Sequence, residues 1–148
     1  MDVYRNLEYL ETLLVEDDPL VRDAMTLGFR TQKLKVSSVE SAEEGLKLLH
    51  EKRFDIIISD YGLPGINGIT FLKQALFSQP DAVKLLISGN VNEELVSESY
   101  AVGIHDYLQK PFRLETLWAT MAMHAAKMDL PISGDCRKAD QVVGAVGM

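Results

Sequence analysis

Polar residues that could share a chemical task come directly after the apolar runs of this chain. In chain order they are Glu16, Asp17, Asp18, Asp60, Ser88 and Lys110. Carboxylates gathered about 4 Å apart repel one another by about 4 kcal/mol per pair at an effective dielectric near 20, so such a group needs a cation. Oxygen ligands without histidine or cysteine select a hard ion, and a small set that leaves room for water and phosphate suits Mg²⁺ better than Ca²⁺. The residue types therefore predict a magnesium site that contacts a phosphoryl group.

Each of these residues also has an ordinary structural role. Asp18 is expected to cap a helix, Ser88 could secure the end of a strand, and a single lysine such as Lys110 is usually a solvated surface residue. Asp60 is the exception, because it ends a strongly apolar run where an unpaired carboxylate has little structural use. Taken together, three acids, a hydroxyl and an ammonium at one rim favour the chemical interpretation.

Short runs rich in branched aliphatic residues predict the strands that would position this group. They cover 12–16, 35–39, 54–59, 83–88 and 106–109. Helical spacing between them predicts helices at 19–31, from 41, at 68–77, at 92–102, and after Pro111 as far as 127. Alternating helices and almost continuously apolar strands indicate a parallel sheet buried on both faces, an open (βα)5 arrangement of the α/β class. Ligands of such sheets bind beyond the carboxyl ends of the strands, where the polar residues are expected to meet.

Two helices carry expectations about which side faces the sheet. The inward residues of the first helix are predicted to be Leu20, Ala24, Met25 and Leu27. Those of the fifth are Leu114, Leu117, Met121 and Ala125, with Trp118, Ala119, Ala122 and Met123 beside or opposite them. Because 116–126 contains no acid, lysine or arginine, this other side is expected to bind a partner or a second copy of the chain. The alternative is that this alanine-rich face is merely tolerated in solvent, or is covered by Val142, Val143 and Val146.

Length and composition define the expected organisation. The chain has 148 residues, 47% of them hydrophobic, which suits one domain with its own core. We expect that domain at 12–127, preceded by an N-terminal extension at 1–11 and followed by a tail or linker at 128–148. Val3, Leu7 and Leu10 sit at helical spacing and predict a short turn in the extension.

Charge and cysteine content exclude several classes of protein. The net charge of −7 disfavours nucleic acid and anionic membranes as partners. A single cysteine, Cys136, cannot form an internal disulfide and favours a reducing, cytoplasmic location. The first residues lack a signal peptide, and no window approaches a membrane span. His50, His105 and His124 are expected on helix or loop surfaces, without a ligand role.

Four segments in the same order resemble the signature of the response regulator receiver domain of two-component signalling, as in chemotaxis regulators. They read LLVEDDPLVR at 13–22, DIIISDYGLPG at 55–65, LISG at 86–89 and YLQKPF at 107–112. The resemblance covers about 12–127. It implies a flavodoxin-like, doubly wound parallel sheet of five strands in the order 2-1-3-4-5, and it implies Mg²⁺ as the cofactor.

The resemblance also implies a role for each site residue. Asp60 matches the phosphoacceptor, and Lys110 matches the lysine that contacts the phosphoryl oxygens. Ser88 and Tyr107 match the switch hydroxyl and the switch aromatic. The metal ligands implied are Asp17, Asp60, Glu16 and the backbone carbonyl of Gly62. A cis peptide bond between Lys110 and Pro111 is implied as well.

Three positions depart from the commonest receiver pattern. Glu16 stands where aspartate is frequent, and its extra methylene is expected to move its carboxylate away from direct contact with the metal. Gly89 replaces the usual alanine beside the switch hydroxyl. Gly62 has no side chain to orient water at the acyl phosphate, which leaves the phosphate lifetime open.

The function implied is that of a phosphoacceptor which catalyses only its own phosphorylation and dephosphorylation and is not otherwise an enzyme. Its partners would be a sensor histidine kinase or phosphotransfer protein, and an output partner bound by the fourth helix, fifth strand and fifth helix, where a homodimer is also expected. About twenty residues after the last helix are too few for a helix-turn-helix domain. The chain is therefore expected either to act alone or to be the N-terminal piece of a longer regulator.

Competing site classes need other residues at these strand ends. A flavin-binding flavodoxin needs a neutral, donor-rich loop where this chain has Glu16 and Asp17. A haloacid-dehalogenase-like phosphatase needs an acid at Pro19, two residues after Asp17. A Toprim-like nuclease needs a second acid two residues after Asp60, where Gly62 stands. A receiver-shaped interaction module that works without phosphorylation stays open as the alternative.

Overall fold

Five parallel strands form the centre of the computed structural model, which describes residues 5–127. They are β1 (Glu11–Val15), β2 (Lys35–Val39), β3 (Ile56–Asp60), β4 (Val83–Ser88) and β5 (Asp106–Gln109). The sheet has the order β2-β1-β3-β4-β5, which confirms the predicted flavodoxin-like topology. β1, β3 and β4 are almost entirely buried, as expected for parallel strands covered on both faces.

Five helices connect and cover the strands. They are α1 (Pro19–Thr31), α2 (Ala42–Glu51), α3 (Gly68–Ser78), α4 (Glu93–Ala101) and α5 (Leu114–Lys127). The first four begin at a polar cap whose side-chain oxygen accepts a backbone N–H of the first turn. These caps are Asp18, Ser41, Asn67 and Asn92. Because each cap closely follows a strand, the helices start at the same edge of the sheet as the predicted site.

The strand register aligns the carboxyl ends at one edge. Val15 of β1 pairs with Ser59, the residue before Asp60 on β3. Asp60 pairs with Ile87 of β4, one residue before Ser88. Ser88 pairs with Gln109 of β5, directly before Lys110. The sheet therefore places Asp60, Ser88 and Lys110 at neighbouring positions along its carboxyl-terminal edge.

Two hydrophobic cores lie on opposite faces of the sheet. One joins α1 and α5 through residues such as Phe29, Leu117 and Met121, and the other joins α2, α3 and α4 through residues such as Leu49 and Phe71. The predicted inward stripe of α5 is confirmed, since Leu117, Met121 and Ala125 are buried and Leu114 is partly buried.

The expectation for Trp118 is wrong. Its side chain is buried and meets the ring of Phe29 edge to face, with centroids 4.9 Å apart. Among the residues predicted on the outer side of α5, Ala119 and Met123 are exposed and Ala122 is half-buried. The proposed apolar surface of α5 is therefore much smaller than the sequence suggested, and Val142, Val143 and Val146 lie outside the described residues.

The inner face of α1 also differs from the prediction. Met25 is buried as expected and Phe29 joins it, but Leu20 is 80% exposed and Leu27 is 65% exposed. Ala24 is exposed as well. The helix turns its Met25 and Phe29 side to the sheet, so a stripe of Leu20, Ala24 and Leu27 faces outward.

The N-terminal turn is part of the core. Residues Arg5–Tyr9 form a 3-10 helix that packs on α5, and Leu7 and Leu10 are almost completely buried. This confirms the predicted turn for Leu7 and Leu10, while Val3 lies outside the described residues. The tail at 128–148 also lies outside the described residues.

Two of the three histidines are not surface residues, contrary to the prediction. His124 is buried and its Nε2 lies 2.8 Å from Asp106 Oδ2, which ties α5 to β5. His105 is half-buried and its Nδ1 accepts the backbone N–H of Lys84 at 3.0 Å. Only His50 is exposed, as expected. Among the described residues, none of the helices combines the length and apolar character that crossing a membrane requires.

Candidate functional site

The acidic segment after β1 divides into a cap and two site residues. Asp18 Oδ1 accepts the N–H of Leu20 at 2.9 Å and that of Val21 at 3.4 Å. The helix thus uses this carboxylate, as the structural interpretation of Asp18 predicted. Of the three acids, Glu16 and Asp17 are therefore left to contribute to a site at the carboxyl ends of the strands.

Glu16, Asp17 and Asp60 form one acidic cluster. Each contributes a carboxylate oxygen, and the three oxygens lie within 4.8 Å of one another. Glu16 and Asp60 are buried and Asp17 is half-buried. The predicted meeting of acids from β1 and β3 is therefore present.

Lys110 joins the cluster from the end of β5. Its Nζ lies 3.0 Å from Glu16 Oε1 and 3.1 Å from Asp60 Oδ1. The predicted cis peptide between Lys110 and Pro111 is present. One ammonium thus bridges two of the three carboxylates.

Burial and pairing act in opposite directions on the two pKa values that shift here. Burial raises the pKa of Glu16, although the hydrogen bonds from Lys110 and from the backbone of Asp18 lower it in part. For Lys110, burial lowers the pKa, but the hydrogen bonds to Glu16 and Asp60 outweigh burial and the pKa is raised. The ammonium of Lys110 is therefore held charged. The pKa of Glu16 stays above its usual value, because burial outweighs its pairing with Lys110.

The donor set fits a hard divalent cation. All three side chains of the cluster present carboxylate oxygens, which Mg²⁺ prefers. Asp17 and Asp60 are its direct candidates. Both oxygens of Glu16 already have partners, because Oε1 receives Lys110 and Oε2 accepts the N–H of Asp18 at 3.1 Å. Gly62 lies beside Asp60, where a Cβ on Gly62 would be 3.9 Å from Asp60 Oδ2.

Ser88 and Tyr107 lie near the cluster but make other contacts. Ser88 is buried, its Oγ donates to the carbonyl of Asn90 at 3.2 Å and accepts the Asn90 N–H at 3.1 Å. Tyr107 is half-buried, and its ring lies 6.2 Å from that of Tyr100 on α4. Tyr107 also lines a groove with the start of α4. The structure thus places Ser88 at the end of β4, next to β3, and Tyr107 on β5, one strand further from Asp60.

Two residues at the site were missed by the sequence analysis. Gly68 starts α3, and a Cβ there would overlap the carbonyl oxygen of Asp60. A glycine directly after the cap Asn67 was the available signal. Arg22 donates to the carbonyls of Glu16 and Asp17. Its place at the end of the receiver-like segment 13–22, four residues after Asp18, was the available signal.

Comparisons with known proteins agree with this geometry. The profile of the response regulator receiver domain matches residues 12–122. The probable chemotaxis protein CheY of Rhizobium etli is 30% identical over 122 residues, covering 77% of this chain and 91% of that protein. The transcriptional activator protein PfeR of Pseudomonas aeruginosa is 32% identical over 105 residues, covering 71% of this chain and 34% of PfeR. The chain thus spans about a third of the length of PfeR.

A solved structure gives the same fold. The CheY-like receiver domain protein from Methanospirillum hungatei superimposes with a TM-score of 0.78 at 22% identity, covering 82% of this chain and 97% of that one. The fold, the profile match and the similarity to most of a probable chemotaxis protein are mutually consistent. The chain belongs to the response regulator receiver domain family of two-component systems.

Proposed function

We propose that Asp60 accepts a phosphoryl group from a phosphohistidine partner in a Mg²⁺-dependent reaction, and that the chain catalyses only this transfer and the later hydrolysis. The observation that supports this best is the placement of Lys110, whose Nζ contacts Asp60 Oδ1 at 3.1 Å beside the other two acids. A nucleophilic carboxylate next to a fixed ammonium is the arrangement that phosphoryl transfer requires.

In this reaction an oxygen of Asp60 attacks phosphorus as the bond from phosphorus to the imidazole nitrogen breaks. The imidazole carries a proton on its other ring nitrogen, so it leaves with the electron pair of that bond as a neutral ring that remains on the partner. Lys110 stabilises the negative charge on the phosphoryl oxygens, and Asp17 with Asp60 would hold the metal. Bound Mg²⁺ would neutralise further charge on the phosphoryl group and on the acids around it.

The donor protein is proposed to dock on α1 and the loop before α5. An apolar groove there is lined by residues that include Leu20, Ala24, Pro111 and Leu114, and Lys110 also contributes to its lining. Because Lys110 belongs to both the groove and the acidic cluster, a helix seated in the groove would bring its histidine close to Asp60. A sensor histidine kinase or phosphotransfer protein of the cytoplasm is the proposed partner.

Phosphorylation is proposed to alter the surface formed by α4, β5 and α5. Ser88 would exchange its hydrogen bonds with Asn90 for one to the phosphoryl group, and Tyr107 would move toward the space that Ser88 leaves. The output partner would bind this surface, which also includes the exposed Met123 and Tyr100. A second copy of the chain is the alternative occupant.

Treatment with acetyl phosphate tests the proposal. Intact-mass spectrometry should show one phosphoryl group on the wild type with Mg²⁺, and none with excess chelator or in Asp60→Asn. Ser88→Ala is the matched variant, because it keeps the acids and should still be labelled. Equal labelling of Asp60→Asn, or labelling that ignores the chelator, would contradict the proposal. Absence of labelling in the wild type with Mg²⁺ would also contradict it and would favour an interaction module that works without phosphorylation.

A further inference from the structure

Arg22 contacts three consecutive backbone carbonyls of the segment that carries the site acids. Its N–H donates to the carbonyl of Asp18 at 2.8 Å, as the first turn of α1 requires. Its Nη1 donates to the carbonyl of Glu16 at 2.8 Å and lies 3.4 Å from that of Asp17. On the other side, the N–H of Glu16 donates to Val39 of β2 at 3.0 Å. The backbone at Glu16 is therefore held from two directions.

These contacts determine which oxygens of the segment face the site. The carbonyls of Glu16 and Asp17 are directed at the guanidinium, so the segment offers its carboxylates to Asp60. In the described part of the chain, Arg22 has no carboxylate within ion-pair distance. Its charge is thus used on backbone carbonyls, where charge-assisted hydrogen bonds are stronger than neutral ones.

We propose that Arg22 is a positioning residue for the metal-binding acids: it fixes the backbone of Glu16 and Asp17 so that their carboxylates meet Asp60. This rests on the proposed function, because it concerns the same Mg²⁺ site. It adds a residue on α1 that touches neither the cation nor the phosphoryl group.

The direction in which Mg²⁺ affinity changes when Arg22 is replaced distinguishes a positioning role from a purely electrostatic one. A guanidinium beside a cation site repels Mg²⁺, so removing its charge alone would strengthen Mg²⁺ binding. Loss of positioning acts in the opposite direction, because the carboxylates would have to be ordered when the ion binds. The proposal therefore requires that Mg²⁺ binding weaken when Arg22 is replaced.

Calorimetric titration of the full chain with MgCl₂ tests this. Arg22→Met keeps a flexible, unbranched stem but removes the guanidinium, and it should weaken Mg²⁺ binding about 10-fold, the lower end of what residues behind metal ligands contribute. Arg30→Met is the matched control, since Arg30 is exposed on the same helix and loses the same charge. It should bind Mg²⁺ as the wild type does or slightly more tightly.

Hydrogen exchange in the metal-free protein gives an independent measurement. The amide of Asp18, which donates to Glu16 Oε2, should exchange faster in Arg22→Met, while amides of β3 and β4 keep the wild-type rate. Unchanged or tighter Mg²⁺ binding by Arg22→Met would overturn the proposal. So would faster exchange throughout the sheet, which would make Arg22 a general stability residue. If the wild type binds no Mg²⁺, the proposed function fails, and exchange at Asp18 alone decides the role of Arg22.

Discussion

At the scale of single residues, the acidic cluster has more negative than positive charge. Three carboxylates converge and one ammonium, that of Lys110, bridges only Glu16 and Asp60. In the absence of metal, Asp17→Asn should therefore raise the free energy of unfolding by about 0.5–1 kcal/mol, the range for partly solvated charges. Urea denaturation in chelator measures this, with Asp23→Asn, an exposed residue of α1, as the control for net charge.

The Asp17→Asn variant should also lose most of the stabilisation that Mg²⁺ gives the wild type. Mg²⁺ at 100 times its dissociation constant should stabilise the wild type by about 2.7 kcal/mol through mass action, because the ion binds only the folded chain. Asp17→Asn removes a direct candidate ligand and should show little of this gain. A variant that is less stable than the wild type in chelator, or equally stabilised by Mg²⁺, would contradict this account of Asp17.

The sequence predicted the members of the cluster but not their pairing. Glu16, Asp17, Asp60 and Lys110 could be found because each lies at or just after the carboxyl end of a strand, and parallel strands end at one edge. That Glu16 binds Lys110 with one oxygen and the Asp18 amide with the other depends on side-chain orientation within the folded site. Arg22 escaped notice for the same reason, since an arginine near the start of a helix is usually a surface residue.

At the scale of elements, the start of α3 is packed directly against the end of β3, the strand that carries Asp60. The N–H of Gly68 donates to the carbonyl of Tyr61 at 2.8 Å, and a Cβ on Gly68 would overlap the carbonyl of Asp60. Gly68→Ala should lower the free energy of unfolding by about 1–3 kcal/mol, the cost of overpacking, although alanine favours helices. It should also slow labelling by acetyl phosphate.

Gly89→Ala is the matched control for this prediction. A Cβ on Gly89 meets nothing within 4 Å, so the substitution should leave the denaturation midpoint unchanged. If both variants unfold at the wild-type midpoint, the backbone contact between α3 and β3 has no energetic role.

The ends of the helices could be predicted, whereas the inner face of α1 and the burial of Trp118 on α5 could not. The caps Asp18 and Ser41 follow from local hydrogen bonding, which the sequence contains. Which side of α1 and α5 meets the sheet depends on how the two helices pack together, with Trp118 edge-on to Phe29. That long-range contact buries Trp118 and leaves Leu27 outside, against the pattern of apolar spacing.

At the scale of the whole molecule, the segment before β1 completes the core between the sheet and α5. Leu7 is 1% exposed and packs in the same cluster as Leu117 and Trp118. Leu7→Ala should lower the free energy of unfolding by about 2–5 kcal/mol, as for other buried leucines. Tyr9→Ala, at an exposed position of the same turn, should change it by less than about 0.5 kcal/mol. Equal effects in thermal denaturation would mean that the segment is not part of the core.

The contact between Lys110 and Glu16 joins residues 94 positions apart, and this has a consequence during synthesis. At about 5–20 residues per second, Glu16 is made roughly 5–20 seconds before Lys110. During that interval the nascent chain holds Glu16 and Asp17, and later also Asp60, without the ammonium that bridges Glu16 and Asp60. A truncated chain that ends before β5 keeps Asp60, the proposed phosphoacceptor, but lacks Lys110. Only a chain whose synthesis has passed Lys110 would thus accept a phosphoryl group. Unfinished chains would not take part in signalling.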